Sequence, residues 1–327
     1  MQTQPADNSP APAHVEIRAL KKYFKVRKDG GSAVLKAVDG VSLSVRKGET
    51  LSIVGESGCG KSTLGRCLAR LIEATSGDIF FDGRDITRLA PRELRELRKQ
   101  VQFIFQDPFS SMNPRMRIDT ILREPLSNFG YSRKDADQRV AELLRLVSLA
   151  PEALKKYPHE FSGGQRQRIV IARALALEPG FIVCDEPVSA LDVSVQAQVI
   201  NLLTDLQASL GLTYIFISHD LSVVRHISHQ VAVMYLGRVV ETGTREAIFE
   251  QPLHPYTRAL ITAVPRFSEA AGQKKTLRLE GEIPSPVNPP SGCAFRTRCP
   301  MAQPRCAEET PLLRPTRAGS QVACHFA

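Results

Sequence analysis

The sequence predicts an α/β fold with a mainly parallel sheet, and three apolar strands carry that prediction. The runs 181–184 and 214–217 are almost continuously apolar, as strands buried on both faces are. A helical segment over 195–210 separates them, and strands that alternate with helices are typical of a parallel sheet. The third strand, 51–54, leads through a glycine-rich loop into a helix over 61–71. Ligands of such sheets bind at the carboxyl ends of the strands.

The other elements of the first half follow in chain order. Residues 34–54 predict two strands separated by a turn at Lys47-Gly48-Glu49. Residues 91–99 predict a helix, since proline is tolerated in its first turn. A strand over 101–105 then leads into a polar loop over 106–116.

Two further helices are predicted from their first residues. Ser132, followed three residues later by Asp135, predicts the start of a helix over 132–147 with apolar residues at helical spacing. The run Phe161-Ser-Gly-Gly-Gln-Arg-Gln-Arg168 opens another helix, which ends near Leu177 before Glu178-Pro179-Gly180.

Composition places the 327-residue chain among globular proteins with one large domain and a smaller one. No apolar run reaches about 18 residues, and no secretory signal is visible, so we expect no membrane span and no export. Residues 1–13 are rich in proline and alanine and predict a disordered tail, and 284–290 predict a stiff connector. The net charge of +9 permits attraction to nucleic acid, to anionic lipid or to an acidic protein face. A solvated basic surface is the favoured interpretation, because no run of five or more like charges occurs.

The loop after the 51–54 strand carries the first chemical motif. Gly55-Glu-Ser-Gly-Cys-Gly-Lys-Ser62 fits G-x-x-x-x-G-K-[ST] between a strand and a helix. The glycines let backbone N–H groups turn towards phosphate oxygens, and the helix N-terminus adds partial positive charge. In this motif Lys61 would reach the β- and γ-phosphates, and the Ser62 hydroxyl would bind Mg²⁺.

Two carboxylates follow the apolar strand at 181–184. Asp185 and Glu186 therefore stand at the edge of the sheet where ligands bind. Asp185 would hold Mg²⁺ through water, and Glu186 would position the attacking water and accept its proton. A solvated acidic pair would be the simpler interpretation if the phosphate loop were absent.

Together these motifs resemble the ATPase subunit of ABC transporters, over about residues 14–265. That resemblance implies a P-loop NTPase of ABC type, with a RecA-like core, an antiparallel β subdomain and a helical signature subdomain. It also implies that Gln106 is the Q-loop glutamine, that Ser189 to Asp192 form the D-loop, and that His219 contacts the γ-phosphate. The nucleotide and Mg²⁺ site would then comprise Phe24, Gly55, Ser57, Gly58, Cys59, Gly60, Lys61, Ser62, Thr63, Gln106, Asp185, Glu186 and His219.

The aromatic residue that stacks on adenine is less sharply indicated. Tyr23 and Phe24 follow Leu20-Lys-Lys, and either ring offers a π-face for stacking. The spacing in the family favours Phe24, with Tyr23 as the second candidate.

The resemblance also gives the 161–168 motif a role in a dimer. In this family two ATPase domains pack head to tail, and the signature motif of one closes over the nucleotide of the other. We therefore expect four signature residues and the D-loop aspartate to act on a partner's nucleotide: Ser162, Gly163, Gly164, Gln165 and Asp192. The chain has one copy of each motif, so it needs a second ATPase domain.

The last part of the chain is similar to the C-terminal region of oligopeptide and dipeptide importers. Residues 252–260, 281–300 and 106–114 carry this likeness, and the second ATPase subunit of a dipeptide permease is the nearest match in pattern. Cys293, Cys299, Cys306 and Cys324 would hold a [4Fe–4S] cluster, as in some members; tetrahedral zinc or no metal are the alternatives.

These inferences predict a disordered tail over 1–13, an ATPase domain over 14–265 and a Cys-rich extension over 266–327. We expect ATP hydrolysis to drive peptide uptake from the cytoplasmic face of the inner membrane. The expected partners are a sister ATPase subunit, two transmembrane permease subunits and, through them, an extracytoplasmic binding protein, with no nucleic acid. Import of another solute such as a nickel chelate, or a non-transport ABC ATPase acting on nucleic acid, are the alternatives.

Overall fold

A computed structural model describes residues 13–28, 31–262, 281–316 and 319–327. The strands in these ranges are β1 (Ala13–Lys28), β2 (Gly31–Arg46), β3 (Thr50–Val54), β4 (Ser76–Phe81), β5 (Arg84–Asp85), β6 (Val101–Ile104), β7 (Phe181–Asp185), β8 (Thr213–Ile217), β9 (Gln230–Tyr235), β10 (Arg238–Thr244), β11 (Arg314–Pro315) and β12 (Gln321–Val322). The α-helices are α1 (Lys61–Leu68), α2 (Pro91–Gln100), α3 (Ile118–Asn128), α4 (Arg133–Leu146), α5 (Gly163–Leu175), α6 (Val193–Leu210), α7 (Leu221–Ile227), α8 (Arg245–Glu250), α9 (Pro255–Thr262) and α10 (Arg305–Glu308).

The main sheet has a parallel centre and an antiparallel edge. Within the described residues its order is β11-β12-β10-β9-β3-β8-β7-β6. Strands β6, β7, β8, β3 and β9 are parallel to their neighbours, and β10, β12 and β11 continue the sheet antiparallel. All five residues of β3, β7 and β8 are buried, which confirms the prediction of a mainly parallel sheet buried on both faces.

Alternate side chains of the central strands belong to two different cores. In β7, Ile182 and Cys184 pack in a cluster with α3 to α6, whereas Phe181 and Val183 pack in a cluster with β1, β2 and α1. This division follows from the period of two in a strand, which sends neighbouring side chains to opposite faces.

A separate antiparallel sheet, in the order β2-β1-β4-β5, covers the second of these cores. Its two long strands pair from Ala13 opposite Arg46 to Lys28 opposite Gly31, with several register shifts. Helices α3, α4 and α5 form a helical part on the other side, where Ser132 caps α4 by accepting a hydrogen bond from the Asp135 N–H at 3.2 Å. The ABC-type architecture of core, antiparallel sheet and helical part is therefore present.

The end of the chain is joined to the main sheet rather than appended to it. Strand β12 pairs with β10, with Glu241 opposite Val322. Phe295 packs in one apolar cluster with Val54 and Tyr235, which lie on β3 and β9. The described part of the C-terminal extension thus shares a core with the parallel strands.

Several predicted bounds differ from the structure by a few residues. The predicted helix 61–71 ends at Leu68, where the chain turns through Arg70 at φ 54°. Residues 1–12 of the predicted tail lie outside the described residues, and Ala13 instead begins β1. The predicted boundary at 265/266 also lies outside them. Among the described residues, no helix is both long enough and apolar enough to span a membrane.

Candidate active site

The phosphate loop is fixed by close backbone contacts at its two ends. Strand β3 lies between β8 and β9 and delivers the chain to Gly55 at the carboxyl edge of the sheet. A Cβ atom at Gly55, where φ is 152°, would lie 2.3 Å from the Met234 carbonyl oxygen, and one at Gly60, where φ is 104°, would lie 2.0 Å from that of Ala37. Both positions therefore require glycine.

Lys61 and Ser62 begin α1 directly after this loop. Lys61 is 4% exposed, and its ammonium donates to the Gly55 and Glu56 carbonyl oxygens at 2.8 and 3.0 Å. The Ser62 hydroxyl donates to the Asp185 carboxylate at 2.7 Å, which ties α1 to the end of β7. Burial raises the pKa of Asp185, while the hydrogen bond from Ser62 acts in the opposite direction. A hydroxyl and a carboxylate oxygen side by side fit the oxygen ligands that Mg²⁺ prefers.

Three loops that follow adjacent parallel strands bring a second group of polar side chains together. The Gln106 amide donates to the Glu186 carboxylate at 2.9 Å, and His219 Nδ1 lies 3.4 Å from the same oxygen. These residues follow β6, β7 and β8, whose carboxyl ends meet at one edge of the sheet. Glu186 has a φ of 48°, and its N–H donates to the Ile217 carbonyl oxygen, so its backbone is held in an unusual conformation.

Apart from Asp185, the polar residues of both groups line one cleft of about 500 Å³. Its walls are formed by Phe24, Leu35, Ala37, Ser57, Gly58, Gly60, Lys61, Ser62, Thr63, Gln106, Glu186, His219 and Pro286. Negative phosphates can meet the loop and the lysine here, while the apolar side chains offer a surface for a ring. The sequence did not predict that Leu35, Ala37 and Pro286 belong to the site. The proline-rich run 284–290 stood out in the sequence, but only as a connector.

The structure places the two aromatic candidates differently. Phe24 lines the cleft, with the Lys22 ammonium 4.9 Å from its ring centroid. The Tyr23 hydroxyl instead donates to Asp39, which Arg238 also binds. Burial, followed by the Asp39 carboxylate, raises the pKa of Tyr23 to about 12. The Tyr23 hydroxyl therefore makes a structural hydrogen bond, and Tyr23 is not among the residues that line the cleft.

The signature residues Ser162 to Gln165 do not line this cleft. They start α5, where the Ser162 hydroxyl accepts from the Gln165 N–H and the Gln165 side chain accepts from the Ser162 N–H, a reciprocal capping box. Ser162, Gly163 and Gln165 are exposed. Asp192 stands at the N-cap of α6 without a side-chain cap hydrogen bond and is also exposed. The exposed members of this predicted set are thus free to meet another surface, whereas Gly164 is buried.

The four late cysteines converge on one small cavity near His254 and Phe295. All four are free thiols, and burial raises the pKa of Cys293 and Cys299. Within the described ranges, however, no three His, Cys, Asp or Glu side chains form a group that could hold a metal ion. The described residues thus bring the four thiols to one cavity without arranging them as a metal site.

Two family models match the chain. A model described as "ABC transporter" matches residues 38–189, and one described as "Oligopeptide/dipeptide transporter, C-terminal region" matches residues 240–306. The chain is 53% identical to the oligopeptide transport ATP-binding protein AppF of Bacillus subtilis, over 95% of this chain and 97% of that protein. It is 54% identical to the oligopeptide transport ATP-binding protein OppF of Escherichia coli, over 91% and 92% of the two chains.

Solved structures with the same fold are similar over most of the chain. The chain superposes on cbiO1 of Clostridium perfringens, part of the ABC transporter complex cbiONQ, with a TM-score of 0.64 and 27% identity, covering 73% of this chain and 91% of that one. The dimeric bacterial ABC transporter cassette MJ0796 gives a TM-score of 0.63 and 29% identity, covering 71% and 98% of the two chains.

Proposed function

This chain belongs to the ABC transporter family of ATP-binding proteins, and from that membership we propose that it powers peptide import as one of two ATPase subunits. The observation that carries the proposal is the identity of 53–54% with oligopeptide transport ATP-binding proteins over almost the whole chain. The match of residues 240–306 to an oligopeptide/dipeptide transporter region supports the same class of solute.

The charge and shape of the cleft support a nucleotide bound by its lining residues. The triphosphate would lie in the loop from Gly55 to Thr63, with Lys61 against its terminal phosphates. Phe24 would stack on adenine, because it is the aromatic candidate that lines the cleft. Ser62, Asp185 and Gln106 would hold Mg²⁺. The ion would supply positive charge that offsets the negative charge of the terminal phosphates.

Glu186 is the group best placed to act on the attacking water. Its carboxylate lies within hydrogen-bond range of Gln106 and faces His219, so its orientation is constrained from two sides. A carboxylate held in this way can orient a water molecule and accept its proton as the bond to the γ-phosphate breaks. His219 would contact the γ-phosphate from the loop after β8.

The exposed signature motif supports assembly with a sister ATPase. Its hydroxyl and N–H groups lie at a helix N-terminus outside this chain's own cleft. We propose that they complete the nucleotide site of a homologous subunit, which completes the present site in return. Loss of the γ-phosphate would remove the ligand that both halves share, and the dimer would open.

Exposed aromatic side chains beside the Q-loop support contact with permease subunits. Phe105 is 39% exposed and lines a groove of roughly 600 Å³ between the sheet and the helical part, and Phe109 is 44% exposed nearby. A permease bound to Phe105 would be in contact with the residue next to Gln106, so a movement of Gln106 would be passed to it. This assembly would hold the chain at the cytoplasmic face of the inner membrane.

Reconstitution tests the transport proposal. The chain, its sister subunit and the permease pair, placed in liposomes with a binding protein, should import labelled peptide only when ATP is supplied. Hydrolysis without peptide uptake but with uptake of a nickel chelate would reject the peptide assignment and retain the ATPase. Purification of the chain in a complex with a second copy of itself alone would contradict the heterodimer.

For the four cysteines we propose a [4Fe–4S] cluster. What supports a cofactor held by thiolates is that four free thiols line one cavity, and the likeness to importer members that carry a cluster favours iron–sulfur over zinc. Cys293→Ser should abolish the iron and sulfide content and visible absorbance of anaerobically purified protein, whereas Cys67→Ser, which alters a buried cysteine elsewhere, should leave them intact. Stoichiometric zinc without iron would reject the cluster.

A further inference from the structure

A buried arginine of the C-terminal extension reaches the phosphate loop. Arg298 lies in the short 3-10 turn between Cys293 and Cys299, and its side chain is 5% exposed. Its two terminal nitrogens donate to the two Glu56 carboxylate oxygens at 2.7 and 2.9 Å. Parallel bonds of this kind fix the relative orientation of both groups, which a single contact does not.

Glu56 is the second residue of the phosphate loop and is anchored through three different groups. Arg298 binds its carboxylate, its N–H donates to the Tyr256 hydroxyl at 2.9 Å, and its carbonyl oxygen accepts from Lys61 at 3.0 Å. The first two anchors come from residues 240–306, the region that matches the oligopeptide/dipeptide model. The next residue, Ser57, lines the cleft itself.

An aromatic cluster keeps both anchors in place. The rings of Tyr235, Tyr256 and Phe295 have centroids 4.8 to 5.4 Å apart, and the Arg298 guanidinium lies 5.9 Å from the Tyr235 centroid. Tyr256 and Phe295 are almost fully buried. These packed side chains therefore resist any small shift of Arg298. Because Arg298 is bonded to Glu56, they also hold the Glu56 carboxylate in place.

The ion pair between Arg298 and Glu56 carries a desolvation cost. Arg298 Nε is buried without a hydrogen-bond partner among the described residues. The Arg298 side chain is 5% exposed and that of Glu56 22%, so the pair is largely withdrawn from water. Such a pair is often no more stabilising than apolar residues of similar volume, so its presence favours a role in geometry over one in stability.

We propose that Arg298 is a positioning residue that acts through Glu56 to set the shape of the phosphate loop, so that triphosphate affinity depends on the C-terminal extension. The proposal rests on the proposed function, in which this loop binds ATP. The extension is then an effector of the chain's own nucleotide site, and any change that displaces the turn between Cys293 and Cys299 lowers affinity for the phosphates.

A double-mutant cycle on the purified full-length chain tests this coupling. Arg298→Gln and Glu56→Gln should each weaken binding of a non-hydrolysable ATP analogue by about tenfold, the scale of a lost charge-assisted hydrogen bond. The double variant should bind no more weakly than either single variant, because both remove the same interaction. Arg298→Lys should recover only part of the affinity, since an ammonium cannot make both bonds.

Two further measurements separate positioning from folding. Binding of inorganic tripolyphosphate should weaken by the same factor as the analogue, and in the assembled transporter KM for ATP should rise while kcat stays within about twofold. Arg305→Gln breaks the exposed pair with Glu309 in the same extension and should leave all these values unchanged.

A lower melting temperature with unchanged analogue and tripolyphosphate affinity in Arg298→Gln would overturn the proposal. If that variant does not fold, Glu56→Gln decides the question, because its amide keeps the size of the side chain. A wild-type chain that binds no analogue would refute the proposed function instead, and so the two failures are distinguishable.

Discussion

At the residue scale, the conformation of Glu186 shows how the fold aims one carboxylate at the cleft. A φ of 48° is unfavourable for glutamate and costs on the order of 1–3 kcal/mol. The hydrogen bond from its N–H to Ile217 and the contact of its side chain with Gln106 hold it there. Strain that the surroundings enforce in this way is common at active sites.

The exchange Glu186→Gln tests the assignment of the base. The amide keeps the shape but cannot accept the proton, so ATP hydrolysis in the assembled complex should fall by at least about a hundredfold. Affinity for a non-hydrolysable analogue should stay within a few-fold. Phosphate release and equilibrium binding measure the two effects, and Glu250→Gln, at an exposed position on α8, is the matched control. Unchanged turnover would rule out this role.

The choice between Phe24 and Tyr23 can be decided by comparing nucleotide with bare phosphate. Phe24→Ala should weaken ATP binding by about 1–3 kcal/mol, the value of one aromatic–base stack, while tripolyphosphate binding stays the same. Tyr23→Phe removes only the hydroxyl that donates to Asp39, so ATP affinity should be retained. The reverse result in a binding titration would identify Tyr23 as the stacking residue.

At the element scale, the start of α5 has a packing requirement of its own. A Cβ atom at Gly164 would lie 2.4 Å from Val195 Cγ1 on α6, whereas one at Gly163 would meet only Leu191 Cδ2, at 3.1 Å. The second glycine of the motif therefore allows two helices to approach closely. This requirement exists in the isolated subunit and is separate from any contact with a partner's nucleotide.

Gly164→Ala should consequently destabilise the isolated chain by about 1–3 kcal/mol, the usual cost of overpacking a buried contact. Gly163→Ala should cost less, because the Leu191 side chain can shift and alanine is favoured in a helix by about 1 kcal/mol. Urea denaturation of the two variants gives the comparison. Equal stability of both would show that α5 and α6 are not tightly packed at this point.

At the scale of the whole molecule, one chain contains a cleft and, outside that cleft, the motif that we propose closes the cleft of a partner. Ser162→Arg should leave ATP-analogue affinity of the isolated chain within about twofold, because Ser162 is exposed and outside the cleft. In the assembled transporter it should reduce hydrolysis at least tenfold by blocking the partner's site.

Ser209→Arg, at an exposed position on α6, is the control for that substitution. Both variants add the same charge and bulk, so a loss of hydrolysis confined to Ser162→Arg would identify the motif as the cause. Loss of analogue binding by the isolated Ser162→Arg chain would contradict the placement of the motif in trans.

Part of the fold could not be predicted from the sequence, because it depends on pairing between residues that are far apart in the chain. The long strands β1 and β2 pair with several register shifts, so neither shows a regular alternation over its whole length. The predicted loop over 106–116 was correct, but the helix α3 that follows it carries an internal proline and was not predicted. The two-residue strands β11 and β12 become visible only through their pairing with β10.

By itself the sequence determined the phosphate loop, the capped starts of α4 and α5 and the buried parallel strands, because each depends on residues only a few positions apart. The tertiary structure decided which distant residues meet: Glu186 with Gln106 and His219, Phe24 rather than Tyr23 at the cleft, and Arg298 with Glu56. Contacts of this kind arise when strands and loops far apart in the chain pack at one edge of the sheet. The spacing of residues within one motif therefore cannot predict which distant residues pack against it.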